Sequence, residues 1–582
     1  MTNMMDVTRR TMLWSGAALG LTGCGWFAGK IPPLPPTTAR AAIDIHCHVF
    51  NARDLPVEGF LDSIYISAGP GVRRYAEEAL VALLSLIMKG QGIGACTEAN
   101  QVNGTQSAGC PGEGLESATV STSRETDAEL LREHVRRAAA VLSGEVSSLR
   151  QTPHIPGAES ASTAQIRAAA RVDLLNGIAQ RPGFESTEPP SPDAVADGAV
   201  KSFLTGSGER ELAGLLWLAT LTTRPRMELV RRLFALPSSS AGDVRILAPA
   251  IVDYGYWLKD QNTTPLAEQI AVMSAIAAHP PQGRAVHGWV SFCPWRQIVE
   301  PGQFALVQDA IRNRGFLGVK LYPVMGFYPI GNEQAQLRGE RYPADLSNIA
   351  NFGKKLDDGL RAVYEFCDKE GVPILAHCSH SEYPHLFRAD GTVDSAVDVG
   401  LRGAPDGWAV VLKEFPELRL NIGHAGGPWD LSLHPDNPSP CPTWTAKVIA
   451  LTAQYENVYT DIADYSTIYD KDPADNDHIL GVLKSYLDQH PGAREKLMYG
   501  TDWEMLSLTL GAESYYPKMR ELISAHLGLD SRQTEGFFGA NAARMAGIST
   551  SKGGTPPQTR VRLERFYDTA GLDKAILGLF DA

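Results

Sequence analysis

From residue 244 onward the chain alternates short apolar runs rich in β-formers with segments of helical periodicity. The runs are VRILAPAIVDYG (244–255), RAVHGWVSFCPW (284–295), FLGVKLYPV (316–324), VPILAHCSH (372–380), LRLNIGHAGG (418–427), NVYTDIADYS (457–466) and KLMYGTDW (496–503). Between them lie stretches such as KKLDDGLRAVYEFCDKEG, where Leu356, Leu360, Val363 and Cys367 recur at helical spacing and form one apolar stripe. Regular strand–helix alternation predicts parallel strands jacketed by helices. With one further run at 43–50, the strands number eight, the count of a closed (β/α)8 TIM barrel.

The run IDIHCH (43–48) departs from a plain buried strand because it carries imidazoles. Successive strand side chains face opposite ways, so Asp44, His46 and His48 are expected on one face and Ile43, Ile45 and Cys47 on the other. Other predicted strands also end in polar side chains: Lys320, His377, His424 and Asp502. In a closed barrel the C-terminal strand ends converge on one mouth, where active sites of this architecture lie. Neutral imidazoles and a carboxylate meeting there form a nitrogen and oxygen donor set suited to zinc or a similar divalent ion. Asp44, deeper on that face, is placed to bond either a ligating imidazole or the barrel floor.

Residues 52–243 interrupt the rhythm between the first two strands and read as a large, mainly helical insertion. Helical spacing is legible at Leu131, Val135, Ala138 and Leu142, behind a capping box at Thr126–Glu129. The barrel is therefore expected from 41–51 and 244–550, with a C-terminal helix over 551–582. The formal charge of −13 and the lack of a basic cluster exclude a nucleic-acid partner and leave a small-molecule substrate.

The N-terminus reads separately. Arg9 and Arg10 precede a short apolar run, and Leu21-Thr22-Gly23-Cys24 resembles a lipoprotein cleavage box. Residues 1–24 are thus read as a twin-arginine, lipoprotein-type signal with Cys24 as the lipidation site, and 25–40 as a Pro-rich linker. The expectation is a periplasmic protein, free or anchored to the membrane only through that lipid. In an oxidising compartment Cys96 and Cys110, which flank a Gly- and Asn-rich loop, are able to pair.

The strand-end motifs together resemble the amidohydrolase superfamily, in the branch related to aminocarboxymuconate semialdehyde decarboxylase. IDIHCH resembles its first-strand motif, GVKLYP the fourth, ILAHCSH the fifth, NIGHAGG the sixth and MYGTDW the eighth, with FFGANAARM (537–545) similar to its closing helix. The resemblance implies that His46, His48, His377 and Asp502 hold a divalent metal, most simply zinc with manganese as an alternative, and one ion rather than two. It implies that His424 orients or deprotonates a metal-activated water and that Asp502 then shuttles a proton. Lys320 either bridges a second ion as a carboxylated lysine or binds substrate. Asn51 and Arg53, close behind the first motif, and His380, three residues beyond His377, are candidates for substrate contact. The reaction expected is hydrolysis of an amide, ester or lactone. A decarboxylase or lyase on the same barrel and a non-catalytic, surface-anchored binding protein are the alternatives.

Overall fold

The computed structural model describes residues 41–61, 72–89, 92–105, 110, 124–150, 161–179, 188–205, 210–236, 244–258, 263–334, 349–379, 401–428, 431, 443–465, 473–502, 514–551 and 553–581. The signal and linker with Cys24, and His380, lie outside the described residues. The strands are β1 (Ala42–His48), β2 (Val244–Ala250), β3 (Ala285–Val286), β4 (Trp289–Ser291), β5 (Gly318–Leu321), β6 (Ile374–Ala376), β7 (Leu420–Ile422), β8 (Val458–Asp461) and β9 (Leu497–Met498). All pair in parallel in the order β1-β2-β4-β5-β6-β7-β8-β9, and the short β3 also pairs with β2. Because β3 and β4 share one run, these nine pieces make the eight staves that the alternation predicts. Closure comes from the main chain beyond β9. Ile45 N donates to Tyr499 O at 3.3 Å, and Thr501 N and Asp502 N donate to His46 O at 3.1 and 2.8 Å.

Two apolar layers hold the barrel. Val319, Leu321, Ile374, Ala376, Leu420 and Ile422 face outward against the helical jacket, including Leu356, Leu360 and Val363 of the helix Phe352–Glu370. The other layer gathers Ile43, Ile45, Ile246, Ala248, Trp289, Leu375, Tyr459 and Met498 with Ala542, Met545, Leu563 and Tyr567 of the C-terminal helices. This second cluster forms the barrel floor.

β1 does not alternate as a plain strand should. Its register slips between Asp44 and Cys47, so three steps on β1 match two on β2. A bulge of this kind resets which side chains face inward. Ile43 and Ile45 consequently join the floor while Cys47 packs in the jacket, and the expected grouping of Ile43, Ile45 and Cys47 on one face is wrong. His46, within the bulge, and His48, above it, still point to the mouth.

Helices dominate the insertion: Val72–Lys89, Ala95–Val102, Arg124–Arg150, Ala161–Ile178, Pro192–Thr205, Arg210–Leu221 and Arg226–Ala235. Leu131, Val135, Ala138 and Leu142 are all buried, as their spacing predicts. A buried charge cluster ties this unit to the barrel. Arg226 donates through Nε to Asp54 Oδ2 (2.9 Å), through Nη1 to Glu98 Oε2 (2.8 Å) and through Nη2 to Asn51 Oδ1 (3.3 Å). Three segments, the loop after β1 and two insertion helices, therefore share one guanidinium. Cys96 and Cys110 are bonded as a disulfide, with Cα atoms 5.8 Å apart. Among the described residues no helix is long and apolar enough to cross a membrane.

Candidate metal centre

The centre is built around β1. His46 Nδ1 lies 3.0 and 3.2 Å from the two oxygens of Asp461, at the end of β8. Asp461 also accepts from Asn421 Nδ2 (2.7 Å), His424 N (3.0 Å) and Ala463 N (3.0 Å). Burial pushes its carboxyl towards the neutral form, but His46 and these donors outweigh that and hold it well below the usual carboxylate range. An ionised Asp461 requires His46 to present Nδ1–H, which leaves a lone pair on Nε2. His48 and His424 reach the same state against main-chain carbonyls. His48 Nδ1 donates to Ala250 O at 2.9 Å and His424 Nδ1 to Ala463 O at 3.0 Å.

The lone pairs of His46 Nε2 and His48 Nε2 converge on Asp502. Its Oδ1 is 3.6 Å from His46 Nε2 and 3.2 Å from His48 Nε2, and all three atoms lie within 4.8 Å of one another. Ligands about 2.0 Å from a tetrahedral zinc stand about 3.3 Å apart. Asp502 Oδ1 is moreover buried and accepts no hydrogen bond of good geometry among the described residues. Two imidazole lone pairs and an unsatisfied carboxylate oxygen at these separations fit a divalent cation. A second grouping, His46, His424 and Asp461, is as compact, but its contacts are the hydrogen bonds described above.

Glycines make the close approaches possible. A Cβ on Gly423 would stand 3.1 Å from the His46 ring, and one on Gly500 would stand 3.0 Å from His46 Cβ. The residues beside those glycines carry strain: His424 (φ 62), Ala425 (φ 48) and Asp502 (φ 47) are all left-handed. Non-glycine residues enter that region at a cost of about 1–2 kcal/mol each, which functional sites commonly store.

His377 stands beside the three converging ligands, with Nδ1 3.1 Å from His424 Nε2 and Nε2 3.3 Å from Ser379 Oγ. The structure pairs it with His424 and leaves it outside the group formed by His46, His48 and Asp502. Burial, reinforced by the His424 and Lys320 charges, holds its imidazole well below its ordinary range, so it is neutral. Lys320 is fully buried, with Nζ 2.7 Å from His46 Nε2. Burial pulls its amine down to about 8, against partial compensation from Asp502 and Asp461. His46 is pulled down to about 4, by burial first and then by Lys320. Burial opposes ionisation of Asp502, but the imidazoles of His48, His424 and His46 facing it hold it well below the usual range.

Of three further residues, Asp44 and Asn51 sit differently from the sequence reading, and Arg53 is placed at the surface. Asp44 bonds no imidazole, because Thr501 N (3.1 Å) and Thr501 Oγ1 (2.7 Å) both donate to it. Burial raises its carboxyl to about 7. Asn51 is buried and spends its amide on structure. Its Oδ1 accepts from Arg53 N (2.9 Å), its Nδ2 donates to Ile93 O (2.7 Å), and Arg226 covers the oxygen. It caps the turn Ala52–Asp54 rather than offering a substrate contact. Arg53 is exposed, and its carbonyl accepts from Thr264 N at 2.7 Å.

Two site residues escaped sequence reasoning. Asp461 ends the seventh stave, and the rule that selected Asp502, a polar side chain at a strand end, applies to it equally. Tyr322 follows the fourth stave, where an aromatic side chain reads equally well as part of the core. Its hydroxyl lies 3.2 Å from His48 Nε2, and its ring stacks on His377 with centroids 5.1 Å apart.

Comparison with known proteins bears on the family of the barrel. Residues 263–548 match a family model described as "Amidohydrolase". No curated protein matches. Among solved structures, the chain is similar to an amidohydrolase from Burkholderia multivorans with bound HEPES, at 12% identity and a TM-score of 0.36 over 56% of this chain and 91% of that one. It is also similar to an uncharacterized TIM-barrel protein from Bordetella bronchiseptica, at 15% identity and a TM-score of 0.32 over 66% and 93%. A third is 2,6-dihydroxybenzoate decarboxylase complexed with 2,6-dihydroxybenzoate, at 12% identity and a TM-score of 0.30 over 54% and 86%. Scores this low carry no argument about chemistry. The family match spans β3 to β9 with Lys320, His377, His424, Asp461 and Asp502, and this barrel portion of the chain, residues 263–548, belongs to the amidohydrolase superfamily.

Proposed function

We propose that this protein is an exported, metal-dependent hydrolase that cleaves an amide, ester or lactone bond of a small molecule. The observation that carries the reading is the convergence of His46 Nε2, His48 Nε2 and Asp502 Oδ1, each prepared by its own surroundings to donate a lone pair. A divalent cation held there would lower the pKa of a coordinated water and polarise a substrate oxygen. His424 is the base in this reading: its Nδ1–H is anchored on Ala463 O, so Nε2 is the nitrogen that takes up the proton lost by the attacking water once the bond it accepts from His377 Nδ1–H gives way. His377, neutral and 3.1 Å away, orients that imidazole. That proton then passes from His424 through the Asp502 carboxylate to the leaving group, so Asp502 takes up no more protons than it gives back.

Zinc is the first choice for two imidazoles and one carboxylate, with manganese second. Lys320 carries an unmodified amine in this reading and neutralises a substrate carboxylate. Export is supported by the Arg9-Arg10 segment and by the Cys96–Cys110 disulfide, which an oxidising compartment maintains. One observation favours a second reading. A buried amine beside the ligand set also suits a decarboxylase, which must hold an acid against the cation. Zinc- or manganese-loaded protein assayed on a panel of amides, esters, lactones and aromatic acids separates the two. Release of carbon dioxide without hydrolysis would overturn the hydrolase assignment, and no turnover of any class would overturn both.

A further inference from the structure

We propose that the Tyr322 hydroxyl is a substrate-facing hydrogen-bond donor at this centre, held on His48 in the metal-free protein and released to a substrate oxygen when the cation binds. The inference rests on His46, His48 and Asp502 holding that cation.

Tyr322 follows β5 directly and leads into the tight turn Pro323–Met325, which ends on Gly326 at φ 116. The ring is constrained from several sides. It stacks on His377 (5.1 Å between centroids, 21° between planes), meets the edge of Tyr254 (5.4 Å, 87°) and lies under Lys320 Nζ (4.5 Å). A ring so fixed presents its hydroxyl at one place, 3.2 Å from His48 Nε2. His48 donates through Nδ1 to Ala250 O, so its Nε2 is an acceptor and Tyr322 O–H is the donor.

That same Nε2 lone pair is one of the three that converge on the cation position. A metal and a hydroxyl hydrogen cannot both use it. Binding the cation therefore strips Tyr322 of this acceptor while the packed ring keeps the hydroxyl beside the coordination sphere. Its hydrogen is then directed at an oxygen bound there, the arrangement by which a preorganised donor stabilises developing negative charge. At 9% exposure, Tyr322 is buried enough to be rigid yet open enough to be touched.

The test compares wild type with Tyr322→Phe, which keeps the ring and removes only the hydroxyl. Metal-free protein is titrated with zinc against a chromophoric chelator. The cobalt-loaded form is then titrated with acetohydroxamate, an oxygen-donor probe, and followed by its visible spectrum. Zinc affinity of the variant should equal or exceed that of wild type, since a competitor for His48 is gone. Acetohydroxamate should bind about tenfold more weakly, as expected for one lost hydrogen bond. Unchanged acetohydroxamate affinity with zinc bound normally would overturn the role of Tyr322 alone. Weakened zinc binding would instead make Tyr322 a scaffold for His48 and overturn the proposal. Failure of both proteins to bind zinc would sink the metal reading itself, and this inference with it.

Discussion

His46 Nδ1 and the Asp461 carboxylate, 415 residues apart in sequence, meet at 3.0 Å with both side chains fully buried. This contact selects the tautomer in which His46 Nε2 can bind metal. Asp461→Asn replaces a charged acceptor with an amide that can equally well donate, so the imidazole loses its fixed orientation. Losing such a partner typically lowers metal affinity about 10- to 100-fold. Competitive zinc titration should show a drop of that size with the far-UV circular dichroism preserved. An unchanged zinc affinity would remove Asp461 from the site.

Much of this centre was legible in the sequence because barrel topology converts strand-end position into spatial convergence. IDIHCH, NIGHAGG and MYGTDW each end a stave, and His46, His424 and Asp502 arrive at one mouth accordingly. The β1 bulge was not legible, since strict alternation is the only rule a lone strand offers, and it wrongly grouped Cys47 with Ile43 and Ile45. His377 illustrates a different limit. Position brings it to the mouth, but whether it meets the cation ligands or His424 depends on side-chain distances of about an ångström. Asn51 was misread because its true partner, Arg226, lies 175 residues away inside the insertion.

Arg226 is the load shared between the insertion and β1. Its replacement by Met leaves Asp54 and Glu98 buried without their counter-charge, and breaking a buried pair in this way costs about 3–5 kcal/mol. Chemical denaturation of Arg226→Met should show a loss of that order. Adding Asp54→Asn should restore part of it, because one stranded charge is removed. A loss below about 1 kcal/mol, the worth of an exposed pair, would contradict the buried cluster.

Stability should fall in mild acid. His287, away from the metal ligands, is fully buried between Gly315 O (2.8 Å) and Tyr567 OH (2.9 Å), and burial lowers its imidazole from 6.5 to about 4. The unfolded chain takes up a proton near 6.5 that the folded chain refuses until about 4. Its contribution is therefore complete above pH 6.5 and is lost as pH falls through that window, about 3 kcal/mol in all. Thermal melts of metal-free protein at pH 7 and pH 4.5 should show a smaller acid-induced drop in Tm for His287→Asn than for wild type. Equal drops would contradict a neutral, buried His287.

The most direct test of the account is zinc stoichiometry measured by elemental analysis after metal stripping, reloading and desalting. Wild type should retain one tightly bound ion per chain, and His48→Ala and Asp502→Asn should each retain far less. Retention by both variants at the wild-type level, or none by wild type, would contradict a centre built on His46, His48 and Asp502.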